Sequence, residues 1–531
     1  MIKSTPRKKG DLMSIRLRHI SIGELIRRLC FGVSLVVIAA GMSVAQQSDR
    51  AAAKPTPIQS PQPIKIGDVI FSGNLRLRVE NWGWFETGGG FEDHYTFGAA
   101  VLRLALGQQR EKIDWQVEGA FPSLINLPQN AVAPAPQGQL GMGASYFAAS
   151  GHQDGSAVLK QAFVRFKGLG SDKQSSIRIG RFEFSDGAET TPSDGTLAVV
   201  KRDHIAQRLI GPFGFSHVGR SFDGAQYTRA KKEWNFTLLA ARVTEGVFQL
   251  RSRDELDVDF YYGAFTKPLA GKTTQGEARV FALHYHDGRG ALKADNRPQA
   301  VRLADAENIR LTTVGGHYIG AIKSGAGTFD LLLWGGGQFG QWGRLDHRAG
   351  AIAVEAGFQP AGRAVSDLGG KLKCWLRGGY FRSSGDGDPG DGDHTTYFTV
   401  LPTPRIYARF PFFNQMNNED IFVEIRLKPH SRVSLRADVH HLRLSNVRDL
   451  WYVGGGAFQR NTFGYAGRPG GGKRNLATMF DLSADINLAS RTMLTFYAAG
   501  VRGGVVSSSL YPLGGTNPPA RFLYVELVQR F

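Results

Sequence analysis

The 531-residue chain holds only two cysteines, Cys30 and Cys374, so a disulfide framework is excluded as the support of its fold. It lacks an apolar run of the ~20 residues that a membrane-spanning helix requires. Enzyme signatures are missing too. There is no Gly-x-Ser-x-Gly elbow, and "AGKTT" (270–274) only imitates a phosphate loop, because Thr266 occupies the place of the required earlier glycine. Helix signals are few, whereas glycine (67 residues) and aromatic residues (11%) are plentiful. These features describe a β-protein that needs a large core or a closed sheet.

The N-terminus reads as an export signal. Basic "KSTPRKKG" and "IRLRH" precede an apolar run at about 29–40, and Ser43-Val44-Ala45 supplies the small residues of a cleavage site before Gln46. Residues 1–45 are therefore expected to be a signal peptide, since the apolar run is too short for an anchor. Removing them leaves 56 basic and 44 acidic residues, a net charge of +12, and Cys374 as the single cysteine. Residues 46–69, rich in proline and alanine, are expected to form a periplasmic tail.

From residue 70 to 531, eighteen segments alternate between apolar and polar residues, the period of a strand. Many reach the ~10 residues of a tilted transmembrane strand. The links after even-numbered segments are short ("GQQRE", "GLGSDK", "KSGAG", "KPHS", "AS"), and those after odd-numbered segments are mostly longer, notably 125–156, 187–216, 288–307, 384–418, 446–472 and 503–518. A soluble sandwich has no reason for that parity. An outer-membrane barrel does, with short periplasmic turns and long extracellular loops. The expected fold is all-β: a transmembrane antiparallel β-barrel of about 18 strands, with Phe531 closing the last strand against the first.

Export inverts the usual reading of the faces. In "NLRLRVEN", Leu75, Leu77 and Val79 should face lipid while Arg76, Arg78 and Glu80 face a wet lumen. By the same alternation Arg103, Arg165, Arg377, Arg426 and Arg436 point inward. In "SIRIGRFEF", a bulge at Gly180 would turn both Arg178 and Arg181 inward, leaving Ile177, Ile179, Phe182 and Phe184 on lipid. Arginine keeps its charge and grips carboxylates with paired hydrogen bonds, so these side chains suit a track for polyanions. Glu80, Asp114, Glu118, Glu183, Glu424 and Asp438 share the lumen, as charges line any porin wall. The pairs His284/His286 and His440/His441 lack a third ligand at a metal-binding spacing. Asp386, Asp388, Asp391 and Asp393 crowd an extracellular loop, where calcium would suit them without the spacing of an EF-hand, and a merely solvated loop is the favoured reading.

Several stretches together resemble the alginate export family of outer-membrane proteins: "LRLRVENW" (75–82), "LKQAFVRFKG" (159–168), "IRIGRFEFSDG" (177–187), "QRLIGPFGFSHVGRSFDG" (207–224), "GGGQFG" (335–340) and "MFDLSADINLASRTMLTFYAAG" (479–500). The resemblance implies an eighteen-stranded barrel that releases an anionic exopolysaccharide, working with a periplasmic scaffold of an export machine. It also implies that Arg181 and Glu183 line the lumen, and that Arg208, Arg220 and Asp223 shape the third extracellular loop and the strand after it. A plug, if present, should be an extracellular loop folded inward, with 125–156 and 384–418 the candidates. The expected partners are outer-membrane lipid and anionic polysaccharide, with no nucleic acid and no catalytic residues. Uptake of small acidic solutes is the alternative use of such a pore.

Overall fold

The computed structural model describes residues 64–531 apart from 153, 171, 252, 362–371 and 404–406. The expected signal peptide and most of the proline-rich tail lie outside the described residues. Within the described residues, no helix is long and apolar enough to cross a membrane.

Eighteen antiparallel strands close into one barrel. They are β1 (Val69–Gly83), β2 (His94–Gln109), β3 (Ile113–Ile125), β4 (Val158–Leu169), β5 (Asp172–Phe182) and β6 (Phe222–Ala230). Next come β7 (Asn235–Thr244), β8 (Glu255–Ala270), β9 (Thr274–Asp287), β10 (Ile309–Ser324), β11 (Gly327–Trp342) and β12 (Leu345–Pro360). The circuit ends with β13 (Trp375–Ser383), β14 (Asn418–His430), β15 (Val433–Leu444), β16 (Asn475–Ala489), β17 (Thr492–Gly503) and β18 (Pro519–Arg530). Each strand pairs with its sequence neighbours, and β18 pairs with β1 from Asn74↔Arg530 to Gly83↔Arg521. Closure leaves no unpaired edge in the hydrocarbon. Phe531 completes the seam: its N–H donates to Gly73 O (3.0 Å), and its carbonyl accepts from Gly73 N (2.8 Å). A Cβ at position 73 would meet the Phe531 ring, so glycine there lets the terminal ring lie over the seam.

Exposure follows the inverted pattern expected of a membrane wall. Leu77, Val79, Val280, Ile352, Val423, Phe480 and Leu482 are between 41% and 61% exposed on the outward face. The alternating inward side chains include the buried Arg78, Glu80, Glu118, Arg377 and Glu424. Two expectations need correction. The tail does not run free up to residue 69, because Ile64–Ile66 folds back to pair with Val69–Phe71. The loop parity fails once: β11 and β12 are joined by residues 343–344 alone, and the link from β12 to β13 (361–374) is the long one at the short-turn end.

The wet lumen also holds for only half the barrel's height. Toward the long loops, Leu256, Val258, Phe260, Leu283 and Tyr285 point inward and are fully buried, while His284 of β9 points outward and is exposed. Loop side chains such as Leu197, Leu209, Phe398 and Tyr407 pack against this inner wall in one apolar cluster. Inward residues are apolar there because their neighbours are protein, not water.

The bulge expected at Gly180 lies instead on β4, where the β3–β4 register slips between Glu118 and Gly119 and turns both Lys160 and Gln161 inward. The β5 strand keeps strict alternation, so Arg178 and Phe182 face inward and Arg181 faces outward beside Ile179, with Phe182 fully buried. Gly180 has φ +125°, and a Cβ there would sit 2.3 Å from Ala162 O. Gly180→Val should therefore cost on the order of 1–3 kcal/mol and lower the temperature at which the folded barrel loses its fast gel mobility. Gly195→Ala, at a position with nothing within 4 Å, should leave that temperature unchanged.

Candidate functional site: a basic chamber at the short-turn end

Eighteen strands enclose more space than their own side chains fill, and four long loops occupy the upper part. They are L2 (126–157), L3 (183–221), L7 (384–417) and L8 (445–474). L2 carries α1 (Met142–Ser150), whose Tyr146 hydroxyl accepts from His217 N of L3 (2.7 Å). L3 carries α2 (Gly195–His204), started by Asp194, whose carboxylate accepts from Thr196 N (2.9 Å) and Leu197 N (3.2 Å).

Two contacts with wall carboxylates bolt α2 in place. Lys201 Nζ lies 2.7 Å from Glu277 of β9, and His204 Nδ1 lies 3.0 Å from Glu355 of β12. Burial lowers the Lys201 ammonium from its ordinary range, and Glu277 offsets only part of that. Two buried arginines then knit the loops together. Arg208 donates to His204 O (2.6 Å) and to Tyr407 of L7 (2.9 Å) and stacks on Trp334 at 4.6 Å. Arg220 donates to Gly211 O (2.9 Å), Gly456 O of L8 (2.8 Å) and Pro402 O of L7 (2.5 Å). The family-derived expectation that Arg208 and Arg220 shape the third loop agrees with this geometry. L7 was an expected plug, but L3 and L8 were not.

Below the plug lies a chamber of about 850 Å³. Its floor is the short-turn end of β12–β17, marked by Gln359, Lys428, Ser434, Asn487 and Met493, and its roof is α2. Among the described residues, Arg202, Lys373, Arg409, Arg426, Lys428 and Arg436 line it, against only two carboxylates, Asp203 and Asp485. Arg426 is gripped by Glu424 (2.5 and 3.0 Å) and Asp203 (2.5 Å), and Arg436 lies 2.8 Å from both Glu424 and Asp438. Glu424 and Asp438 are fully buried behind these arginines, so the cations are presented to the chamber and the carboxylates to the wall. Burial would raise Asp203, but hydrogen bonds from Arg202 and the charge of Arg426 outweigh it and hold the carboxyl well below its usual range. Asp203 is thus ionised throughout and acts as a fixed spacer between Arg202 and Arg426.

A gap of about 30 Å³ beside Thr403 leads upward, with room for little more than a water or two. It is lined by Pro402, Tyr407, Pro411, Phe413 and Tyr465, and it shares Pro411, Gly455 and Tyr465 with an outer cavity of about 280 Å³ among L2, L7 and L8. The gap shares Thr403 with the chamber and Pro411, Gly455 and Tyr465 with the outer cavity, so it lies between them.

Of the residues expected to line the pore, Arg426 and Arg436 reach this chamber. Arg76, Arg78, Arg103, Arg165, Arg178 and Glu183 line a second stretch of inner wall, on or beside β1–β5. Arg76 donates to Gly214 O of L3 (2.6 Å), and Arg78 is buried against Glu526 (2.7 Å) with Phe215 stacked 3.8 Å away. Glu183, one residue past β5, turns in to Arg103 (2.8 Å). Arg165 is the most exposed of this group, at 40%, and Arg178 donates to Gln226 (2.5 Å).

Arg377 faces inward but is fully buried between Asp330 and Glu355, so it offers no surface to a solute. Arg181 is a correction: it faces outward and pairs with Asp223 (2.5 Å), on the lipid-side rim. The chamber's other cations were missed. Lys428 was legible as the next inward position after Glu424 and Arg426, but Arg202 and Arg409 sit on loops whose path no alternation reveals.

The aspartate loop does not gather into a metal site. Asp386, Asp388 and Asp391 each accept from a backbone N–H two residues on, at 3.1, 3.0 and 2.9 Å. No three potential ligands converge among the described residues.

Two outcomes test the plug. Lys201→Met leaves the buried Glu277 without its main partner, so it should destabilise the barrel by about 3 kcal/mol and raise single-channel conductance. Adding Glu277→Leu should restore stability but not the closed level. A pH effect is also expected. Burial pushes the Asp386 carboxyl up to about 6 from its ordinary 3.8, and nearby Asp449 and Asp391 add to the rise. Folded L7 therefore holds this proton more tightly than the unfolded chain does, so the stabilisation is present at low pH and is lost as pH rises through about 6. Closed dwell times should be longer at pH 5 than at pH 7.5, and Asp386→Asn should flatten the difference.

The profile of the alginate export family matches residues 146–506. A comparison with curated proteins finds no match. Among solved structures, Pseudomonas aeruginosa OpdK with vanillate is similar at 10% identity and TM-score 0.51, over 87% of this chain and 98% of that one. P. aeruginosa OccK9 (OpdG) is similar at 10% identity and TM-score 0.51, over 87% and 99%. At that identity the likeness concerns the fold alone, an outer-membrane barrel. With a family match over more than half its length and a closed eighteen-strand barrel, the chain belongs to the alginate export family and is an outer-membrane channel.

Proposed function

We propose that this channel exports an anionic, alginate-like polyuronate from the periplasm, and that the basic chamber is where the polymer enters. The observation that carries the reading is position: six cations face two carboxylates at the short-turn end, the periplasmic end of an outer-membrane barrel. A low-dielectric wall focuses that field and draws in anions. Uronate carboxylates would bind successive guanidinium groups through paired hydrogen bonds, each contact weak enough to release as the next forms. Passage needs no catalytic group. It needs L7 to move, because the gap above the chamber has room for little more than a water or two.

That same narrowness favours a second reading, uptake of small acidic solutes. A small acid requires only a local shift of Pro402, Tyr407 and Phe413, whereas a polymer requires the gap to stay open.

Arg202, Lys373 and Lys428 are exposed in the chamber and hold no buried carboxylate alone, so their joint change to Gln should leave the barrel folded. In a salt gradient the triple variant should lose most of the wild-type anion preference, with the reversal potential moving toward zero. An unchanged reversal potential in a correctly folded variant contradicts the chamber's role. Block by a uronate oligomer but not by a monomeric acid supports export, and the reverse order supports uptake.

A further inference from the structure

The balance of charge on the outward rim at the long-loop end differs between two sectors. From β5 to β8 carboxylates outnumber arginines: Arg181 pairs with Asp223 (2.5 Å), and Arg242 with Asp259 (2.7 Å) and Asp257 (3.3 Å). From β13 to β16 the excess is of the opposite sign. Glu419, at the start of β14, stands between Arg382 of β13 and Arg443 of β15 in the strand register. Its carboxylate takes Arg474 Nη2 at 2.7 Å, Arg443 Nη2 at 2.9 Å and Arg382 Nε at 3.6 Å.

Three guanidinium groups thus share one carboxylate. Glu419 is only 2% exposed, whereas Arg382, Arg474 and Arg443 remain 54%, 49% and 34% exposed. Glu419 is the one carboxylate on the outward faces of β13–β17 among the described residues, so the triad keeps an uncompensated charge of +2. A buried anion that gathers three arginines while leaving their outer N–H groups toward solvent makes a fork for a second anion. Tetrahedral phosphate suits it, because arginine donors pair with phosphate oxygens two at a time.

Height and surroundings select the source of the phosphate. Below it on the same outward face, interrupted by the His441–Thr478 pair (3.3 Å), Leu376, Ile421, Val423, Val439, Phe480 and Leu482 are 43–55% exposed and form an apolar wall. A ligand that fits both parts carries a phosphate at the membrane surface and acyl chains beneath it. We propose that Arg382, Arg443 and Arg474, held by Glu419, form a binding site for a phosphorylated glycolipid of the outer leaflet, with its acyl chains lying on the wall of β13–β16. The site is independent of the lumen and of what the channel carries.

The test is native mass spectrometry of the full barrel in detergent, with three probes offered separately: bisphosphorylated lipid A, chemically dephosphorylated lipid A, and inorganic phosphate. Wild type should retain the bisphosphorylated lipid at least tenfold better than the dephosphorylated one, and equimolar inorganic phosphate should not displace it. Removing all three arginines would strand Glu419, so the informative variant is R382Q/E419Q/R443Q/R474Q, checked for folding by gel mobility. Arg474→Gln alone, in the exposed loop end, guards against failure of the larger variant to fold. Retention should fall about tenfold in the quadruple variant and measurably in the single one. Equal retention of the two lipids, undiminished binding by both variants, or full displacement by inorganic phosphate would each overturn the proposal.

Discussion

A sheet that satisfies every backbone hydrogen bond by closing on itself must, at eighteen strands, surround a space its own side chains cannot fill. The rest of this molecule answers that constraint. At the long-loop end the space is occupied by L2, L3, L7 and L8, and the inner wall is apolar to meet them. At the short-turn end it is left to water, and the wall turns polar. One strand face therefore changes character along its length, as β14 does from the buried Phe422 to Arg426 and the exposed Lys428 at the chamber.

Electrostatics divides at the same level. Within the packed region, charges are cancelled locally: Lys201 by Glu277, and Arg377 by Asp330 and Glu355. Arg208 and Arg220 are met by carbonyl and hydroxyl oxygens rather than carboxylates, which lets them cross-link loops without a buried counter-ion. Removing one partner of a buried ion pair such as Lys201 with Glu277 is costly, because the other charge is left unpaired. In the chamber the balance reverses, because Glu424 and Asp438 lie behind Arg426 and Arg436 and the cations meet the lumen.

The barrel was legible because a period of two and loop parity are local signals. All eighteen strands fall where alternation puts them, and Phe531 meets Gly73 across the seam. Strand ends are less legible beside L3, where buried loop residues such as Phe184 and Val218 extend the apolar pattern beyond β5 and β6. Next to an inserted loop apolar means inward, so Tyr285 is buried while its neighbour His284 is exposed. Arg181 was misplaced because the bulge belongs to Lys160–Gln161, and a glycine with positive φ resembles a bulge in sequence even when the register is continuous. Arg202 and Arg409 could not be found, since their positions depend on where α2 and L7 come to rest.

The most direct test of the central claim is sided block in a planar bilayer. The channel is held in a salt gradient while polyuronate is added first to the short-turn side and then to the long-loop side. An anion-selective current, blocked in a dose-dependent way and at lower polymer concentration from the short-turn side, is the predicted result. A neutral or cation-selective current that ignores polymer on both sides would contradict the account.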